Sequence, residues 1–158
     1  MWLFLIISMI KEDCIFCKIS RGDIPSYKIW ENDKFFAILD IFPNTKGMTL
    51  IIPKEHYDSY AFEMPDDVYS EFMLAAKKVG LMLDDKLKVQ RTALVMEGMG
   101  VNHAHLKLYP LHGLGDGFTA KMPEGSVFFE KYEGYLSTRL GPKADEVVMK
   151  ALFEELAH

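Results

Sequence analysis

Apolar and polar positions alternate with a period of two along several stretches of this chain, and follow the helical period along one. The clearest alternation runs from Val101 to Pro110, where His103, His105, Lys107 and Tyr109 interleave with Ala104, Leu106 and Leu108. That pattern predicts a half-buried strand with a small apolar face for the core and an opposite face carrying two imidazoles and an amine. Tyr27 to Trp30 and Phe35 to Asp40 read as two further strands, separated by the turn Glu31-Asn32-Asp33-Lys34. After the break Pro43-Asn44-Thr45-Lys46-Gly47, the apolar run Met48 to Pro53 predicts a third, and Thr92 to Glu97 a fourth. Gly98-Met99-Gly100 is then a tight connection into the histidine-bearing fifth strand, and Arg21-Gly22-Asp23-Ile24-Pro25-Ser26 a turn near the start.

Helical spacing is sustained from Asp66 to about Leu83, with Val68, Phe72, Ala75 and Val79 as its apolar stripe and Pro65-Asp66-Asp67 suited to its start. A second helix is expected from about Lys143 to Leu156. Strands joined mainly by turns, with one central helix, predict an α+β fold: a five-stranded antiparallel sheet backed by one main helix, plus a C-terminal helix. Three segments are expected: an apolar arm over 1–13, the main domain over 14–117, and an extension over 118–158. The 158-residue length, with 49% apolar residues, fits one domain and a tail.

The opening MWLFLIISMI lacks the basic start and small-residue cleavage site of a signal peptide. It is also far shorter than the ~20 residues that span a bilayer. Three readings remain for it: an upstream start with Met9 as the natural initiator, which leaves residues 1–8 in question, an added strand, or an apolar arm that docks on a partner. The chain is expected to be cytoplasmic with no membrane partner. A net charge of −5 without a basic run argues against nucleic-acid binding. An anionic substrate would have to be met by local cations such as Lys107.

Two imidazoles and an ammonium at i, i+2 and i+4 put like charges within mutual reach, which gains nothing without a ligand. They suit binding and attacking a phosphate. Cys14 and Cys17, the two cysteines, form a C-x-x-C pair. Three readings apply: reduced structural thiols, a redox dithiol, or half of a metal clip completed by two histidines. The candidate histidines are His56, His103, His105, His112 and His158, and spacing alone does not choose among them.

From Cys14 to Gly117 the chain resembles the histidine triad (HIT) superfamily of nucleotidyl hydrolases and transferases. The resemblance rests on Cys14-Ile15-Phe16-Cys17-Lys18-Ile19, Gly22 to Ser26, Asp40-Ile41-Phe42-Pro43, Thr45 to His56, and His103-Ala104-His105, in that order. It implies that His105 is a nucleophile forming a nucleotidyl-histidine intermediate, with His103 and Lys107 beside it. It further implies that Asp40 holds the ribose hydroxyls, that Ile15, Phe16, Ile19, Ile24 and Ile41 line a slot for a purine base, and that Asn102 belongs to the nucleotide site. In zinc-bearing bacterial-type members the ligands would be Cys14, Cys17, His56 and His103, a structural Zn²⁺ site, and the protein would be a homodimer. Two departures stand out: Lys107 replaces the third histidine, and the loop Glu97 to Asn102 is shorter, with Met96 in place of an asparagine. The expected activity is hydrolysis of a nucleoside 5′-phosphoryl bond in a dinucleoside polyphosphate or nucleoside phosphoramidate. Nucleotidyl transfer, and nucleotide binding with slow or no turnover, are the alternatives.

Overall fold

In the computed structural model, which describes residues 11–157, five strands form one antiparallel sheet. They are β1 (Lys28–Glu31), β2 (Phe35–Leu39), β3 (Thr49–Pro53), β4 (Thr92–Val95) and β5 (Leu106–Pro110), in the spatial order β1-β2-β3-β5-β4. Three α-helices accompany them: α1 (Ile15–Arg21), α2 (Asp66–Leu87) and α3 (Glu146–Leu156). The α+β class, the five-stranded sheet, the main helix and the C-terminal helix are as the sequence predicts, while α1 is an addition. The expectations about residues 1–8 lie outside the described residues. Among the described residues, no helix is long and apolar enough to cross a membrane.

Phe35-Phe36-Ala37-Ile38 is buried at every position because the sheet is covered on both faces. Phe35 and Ala37 point toward α2 and join Ile51, Leu106, Leu108, Phe72, Ala75, Ala76, Val79 and Leu83 in the larger core. The Phe35 and Phe72 rings stack with centroids 5.3 Å apart. Phe36, Ile38, Leu50 and Ile52 point the other way and pack with Phe16 of α1. The β2–β3 register, Phe35↔Pro53 through Leu39↔Thr49, keeps these two sets apart, since alternate side chains leave opposite faces. Helix α2 runs a turn beyond the expected Leu83, because Leu87 still packs on the core. It ends at Lys88, whose φ of 55° stops helical propagation.

The fifth strand was expected to carry His103 and His105, but regular pairing begins only at Leu106. The backbone of the preceding residues is bonded elsewhere: His103 N–H donates to Val101 O at 2.8 Å and Ala104 N–H to Tyr57 O at 2.7 Å. The alternation nonetheless persists through this irregular lead-in, with Ala104, Leu106 and Leu108 all buried in the α2-side core.

The described chain forms two compact units, one ending at Asp116 and the other beginning at Gly117. Within the second, Asp145 caps α3 by accepting from the Val147 and Val148 N–H groups at 2.8 and 3.2 Å. Val127 N–H donates to Leu140 O across the irregular segment before it. Val147, Val148, Phe153 and Leu156 of α3 are exposed in that unit.

Candidate active site and metal-ligand cluster

Helix α1 organises the site. Gly22 ends it in the left-handed conformation, φ 86°, and Lys18 and Arg21 in its last turn complement the helix dipole. Cys14 is its N-cap and Cys17 lies three residues on, so the C-x-x-C spacing brings both sulfurs to one side of the helix start. His56 follows β3, and His103 lies on the lead-in to β5.

These four residues converge. Their ligand atoms, two Sγ and two imidazole nitrogens, all lie within 4.8 Å of one another. Cys14 Sγ and Cys17 Sγ are 3.3 and 3.6 Å from His103 Nδ1, and Cys17 Sγ is 3.4 Å from His56 Nδ1. About 3.3–3.8 Å is the edge of a tetrahedron whose bonds are those of Zn²⁺ to nitrogen and sulfur. Of the five candidate histidines, His56 and His103 are the two that the described structure brings together with both cysteines. His112 instead donates from Nε2 to Lys46 O at 2.8 Å, and His158 lies outside the described residues.

Tautomers fit a cation too. A carbonyl oxygen can only accept, so His103 Nε2 carries the proton it gives to Pro53 O at 2.9 Å, and Nδ1 keeps its lone pair toward the sulfurs. His56 likewise turns Nε2 toward Asp58 Oδ1, at 3.3 Å, and Nδ1 toward Cys17. An imidazole whose second nitrogen is held by a carbonyl or carboxylate is the usual arrangement behind a bound metal. Burial pushes the His103 pKa down to about 4, keeping the ring neutral as a ligand requires, and pushes that of the Cys17 thiol up. A thiolate at Cys17 therefore needs a cation beside it. The donor set fits a closed, four-coordinate metal.

Asp58 braces this cluster from outside. It accepts from Lys11 Nζ at 3.0 Å and from Asn102 Nδ2 at 3.2 Å as well as from His56. Asn102 Oδ1 in turn accepts from Ser59 N–H and Oγ–H at 2.9 and 3.1 Å. Among the contacts the structure provides, Asn102 thus ties the loop before His103 to the segment after His56. Gly98 allows the same approach: its φ is 71°, and a Cβ there would come within 2.5 Å of Ser59 O.

His105 is the second centre. It is 3% exposed, and its Nδ1–H donates to His103 O at 2.7 Å, which leaves the lone pair on Nε2. Burial, partly offset by that hydrogen bond, holds its pKa below the ordinary imidazole value, and so does the charge on Lys107. A neutral imidazole with one nitrogen pinned and the other unprotonated is a ready nucleophile. Phe16 presents an edge to both histidines, at centroid distances of 5.3 Å to His105 and 5.8 Å to His103. One helix therefore carries a metal-ligand candidate, Cys17, next to a ring packed on His105.

Lys107 lies on the face away from α2, opposite Leu50 of β3 and Val95 of β4. Its Nζ contacts Glu97 Oε1 at 2.8 Å, with only 24% and 13% of the two side chains exposed. Glu97 is the residue that sequence reasoning missed. Its signal lies in the β4–β5 pairing, which no local pattern reveals. Asp40 sits at the end of β2 with its carboxylate accepting from Phe42 N–H, and its charge acts on His105. Ile19 and Ile24 are half-buried, whereas Ile15 and Ile41 are exposed.

The HIT domain family model matches residues 21–113. Over 114 residues the chain is 39% identical to Protein hit of Bacillus subtilis, covering 69% of this chain and 78% of that one. It is 33% identical over 120 residues to an adenosine 5′-monophosphoramidase of Saccharomyces cerevisiae, covering 75% of each. Among solved structures, a histidine triad nucleotide-binding protein from Candida albicans superposes with a TM-score of 0.60 at 28% identity, covering 91% of this chain and 94% of that one.

Proposed function

The chain belongs to the HIT domain family, and from that premise we propose that it is a nucleotide hydrolase working through a covalent nucleotidyl-His105 intermediate. The observation that carries the reading is the pinned tautomer of His105. With Nδ1–H given to the His103 carbonyl, Nε2 holds a lone pair and the ring cannot turn it away. Nε2 attacks the α-phosphorus of a nucleoside phosphoramidate or dinucleoside polyphosphate. The phosphorus–nitrogen or phosphorus–oxygen bond to the leaving group breaks, its electron pair goes to the leaving atom, and that atom takes a proton from solvent. Water then attacks phosphorus, the Nε2–phosphorus bond breaks, the imidazole recovers its lone pair and the water proton passes to solvent. The product is a nucleoside monophosphate. Relatives named adenosine 5′-monophosphoramidase support this class of reaction.

The remaining roles follow. Lys107 supplies positive charge near the phosphoryl oxygens. His103 flanks His105 on the lead-in to β5 without acting as an acid or base, since its Nε2 is committed to Pro53 O and its Nδ1 to the sulfurs. Asp40 takes the ribose hydroxyls, while Ile15, Phe16, Ile19, Ile24 and Ile41 line the slot for a purine, and Asn102 holds the loop beside it. A Zn²⁺ ion on Cys14, Cys17, His56 and His103 would be a structural cross-link tying α1 and the end of β3 to the nucleophile's segment. The catalytic domain spans 14–117 and works in a cytoplasmic homodimer, with 118–158 as an extension.

The Glu97–Lys107 pair favours a second reading, a nucleotide-binding protein with slow turnover, because a neutralised lysine stabilises a phosphoryl transition state less. Intact-protein mass spectrometry after rapid mixing with adenosine 5′-phosphoramidate separates the two. A transient nucleotidyl adduct in the wild type, absent from His105→Ala, is expected. Binding without adduct or product would sink the hydrolase.

A further inference from the structure

Lys107 lies two residues beyond His105 and its charge acts on that imidazole, yet its ammonium is already 2.8 Å from the Glu97 carboxylate. Both side chains are largely withdrawn from water, while the leaving group beyond them would face solvent. The β4–β5 register sets Val95 across from Lys107, so the chain leaving β4 carries Glu97 past the start of β5, beside His105. The position of Glu97 is also anchored from behind. Gly98, which follows it, makes a close approach to Ser59 that leaves no room for a side chain. A second carboxylate, Asp40, acts on the same imidazole.

We propose that Glu97 is a specificity-determining residue that sorts substrates by the charge of their leaving group. Paired with Lys107, it makes this part of the site electrically neutral instead of cationic. A phosphoryl group with one negative charge and a neutral or cationic amine as leaving group fits that field. A polyphosphate leaving group brings several more negative charges toward a carboxylate that is held in place. In the first case Lys107 is shared between Glu97 and one phosphoryl oxygen. In the second, each further charge loses the attraction that an unpaired Lys107 would have offered, because the Glu97 carboxylate cancels it. A unit charge about 7 Å away at an effective dielectric of 40–80 changes an equilibrium about three- to sevenfold. Two or three added phosphates at increasing distance therefore amount to roughly tenfold discrimination.

This rests on the hydrolase reading of His105, and its test is arranged to separate the two. The ratio of kcat/KM for diadenosine tetraphosphate to kcat/KM for adenosine 5′-phosphoramidate is measured in wild type, Glu97→Gln, Glu97→Ser and Glu97→Asp. Both neutral variants are expected to raise the ratio about tenfold, less at high salt, while Glu97→Asp stays near the wild-type ratio. A ratio unmoved by either neutral substitution overturns the proposal, as does an equal rise in Glu97→Asp. Should the wild type hydrolyse neither compound, the hydrolase reading fails and the charge filter is read by calorimetry instead. The preference for adenosine triphosphate over the monophosphate then rises in Glu97→Gln if the filter exists, and an unchanged preference overturns it.

Discussion

Replacing Asp58 by alanine tests whether the four-residue cluster is a metal site with an ordered outer shell. Three groups donate to that carboxylate, and they differ in what they lose. Lys11 and Asp58 are more than half exposed, so their ion pair at 3.0 Å is a surface contact of little consequence. The Asn102 amide, also exposed, can turn to water when its partner goes. His56 cannot, because its ring is 3% exposed, and without Asp58 its Nε2–H loses the acceptor that fixes Nδ1 toward Cys17. Removing such an outer partner typically costs 10- to 100-fold in metal affinity. Competition of the purified protein against a chromogenic chelator for Zn²⁺ should show a loss in that range for Asp58→Ala. Lys11→Ala, which removes only the surface contact, should shift the affinity by less than about threefold. Equal affinities in the two variants would refute the outer-shell role of Asp58. A wild type that binds no Zn²⁺ would refute the metal site itself.

Two further outcomes are expected. Cys17→Ser should purify with almost no metal by elemental analysis and melt roughly 10 °C or more below the wild type, since a structural ion contributes directly to folding. Retention of full metal content would contradict the ligand set. Phe72→Ala deletes a ring with no exposure that stacks on Phe35, and should cost about 3–5 kcal/mol in urea unfolding. Because Phe72 lies on the α2 side of the sheet and Phe16 on the other, nucleotide affinity per folded molecule should change less than threefold, and a larger change would contradict the separation of the two faces.

Much of the architecture is readable from local pattern. Phe35 to Leu39 and Thr49 to Pro53 are strongly apolar runs bounded by turns, and the Val68–Phe72–Ala75–Val79 stripe has the helical period over many residues. Helix α1 escapes such reading because its seven residues bury only Phe16 and Cys17, too few to establish a period. The start of β5 escapes it because whether a segment pairs depends on a distant partner. Here Ala104 N–H goes to Tyr57 O instead of to a neighbouring strand. Cys14 and Cys17 announce a possible clip, but the choice of His56 and His103 depends on where β3 ends relative to the lead-in of β5. Lys107 is visible as a departure in the sequence. Its partner Glu97 becomes visible only once the edge strand is paired.

Interleaving of packing and chemistry on the β5 segment also sets how this site can vary. Ala104, Leu106 and Leu108 pack against the α2 side, while His105 and Lys107 occupy the intervening positions. Point changes at either set leave the other in place, so reactivity can drift without eroding the fold. Insertions or deletions of one residue between His103 and Leu106 are another matter. Where the pairing register of β5 shifts by one residue in response, the sets trade places, with Lys107 turned to the apolar interior and Leu106 to the side of His105. The loop from Met96 to Asn102 precedes that alternation, so a change of length there leaves both sets facing as they do and reaches His105 only through the residues that flank Gly98.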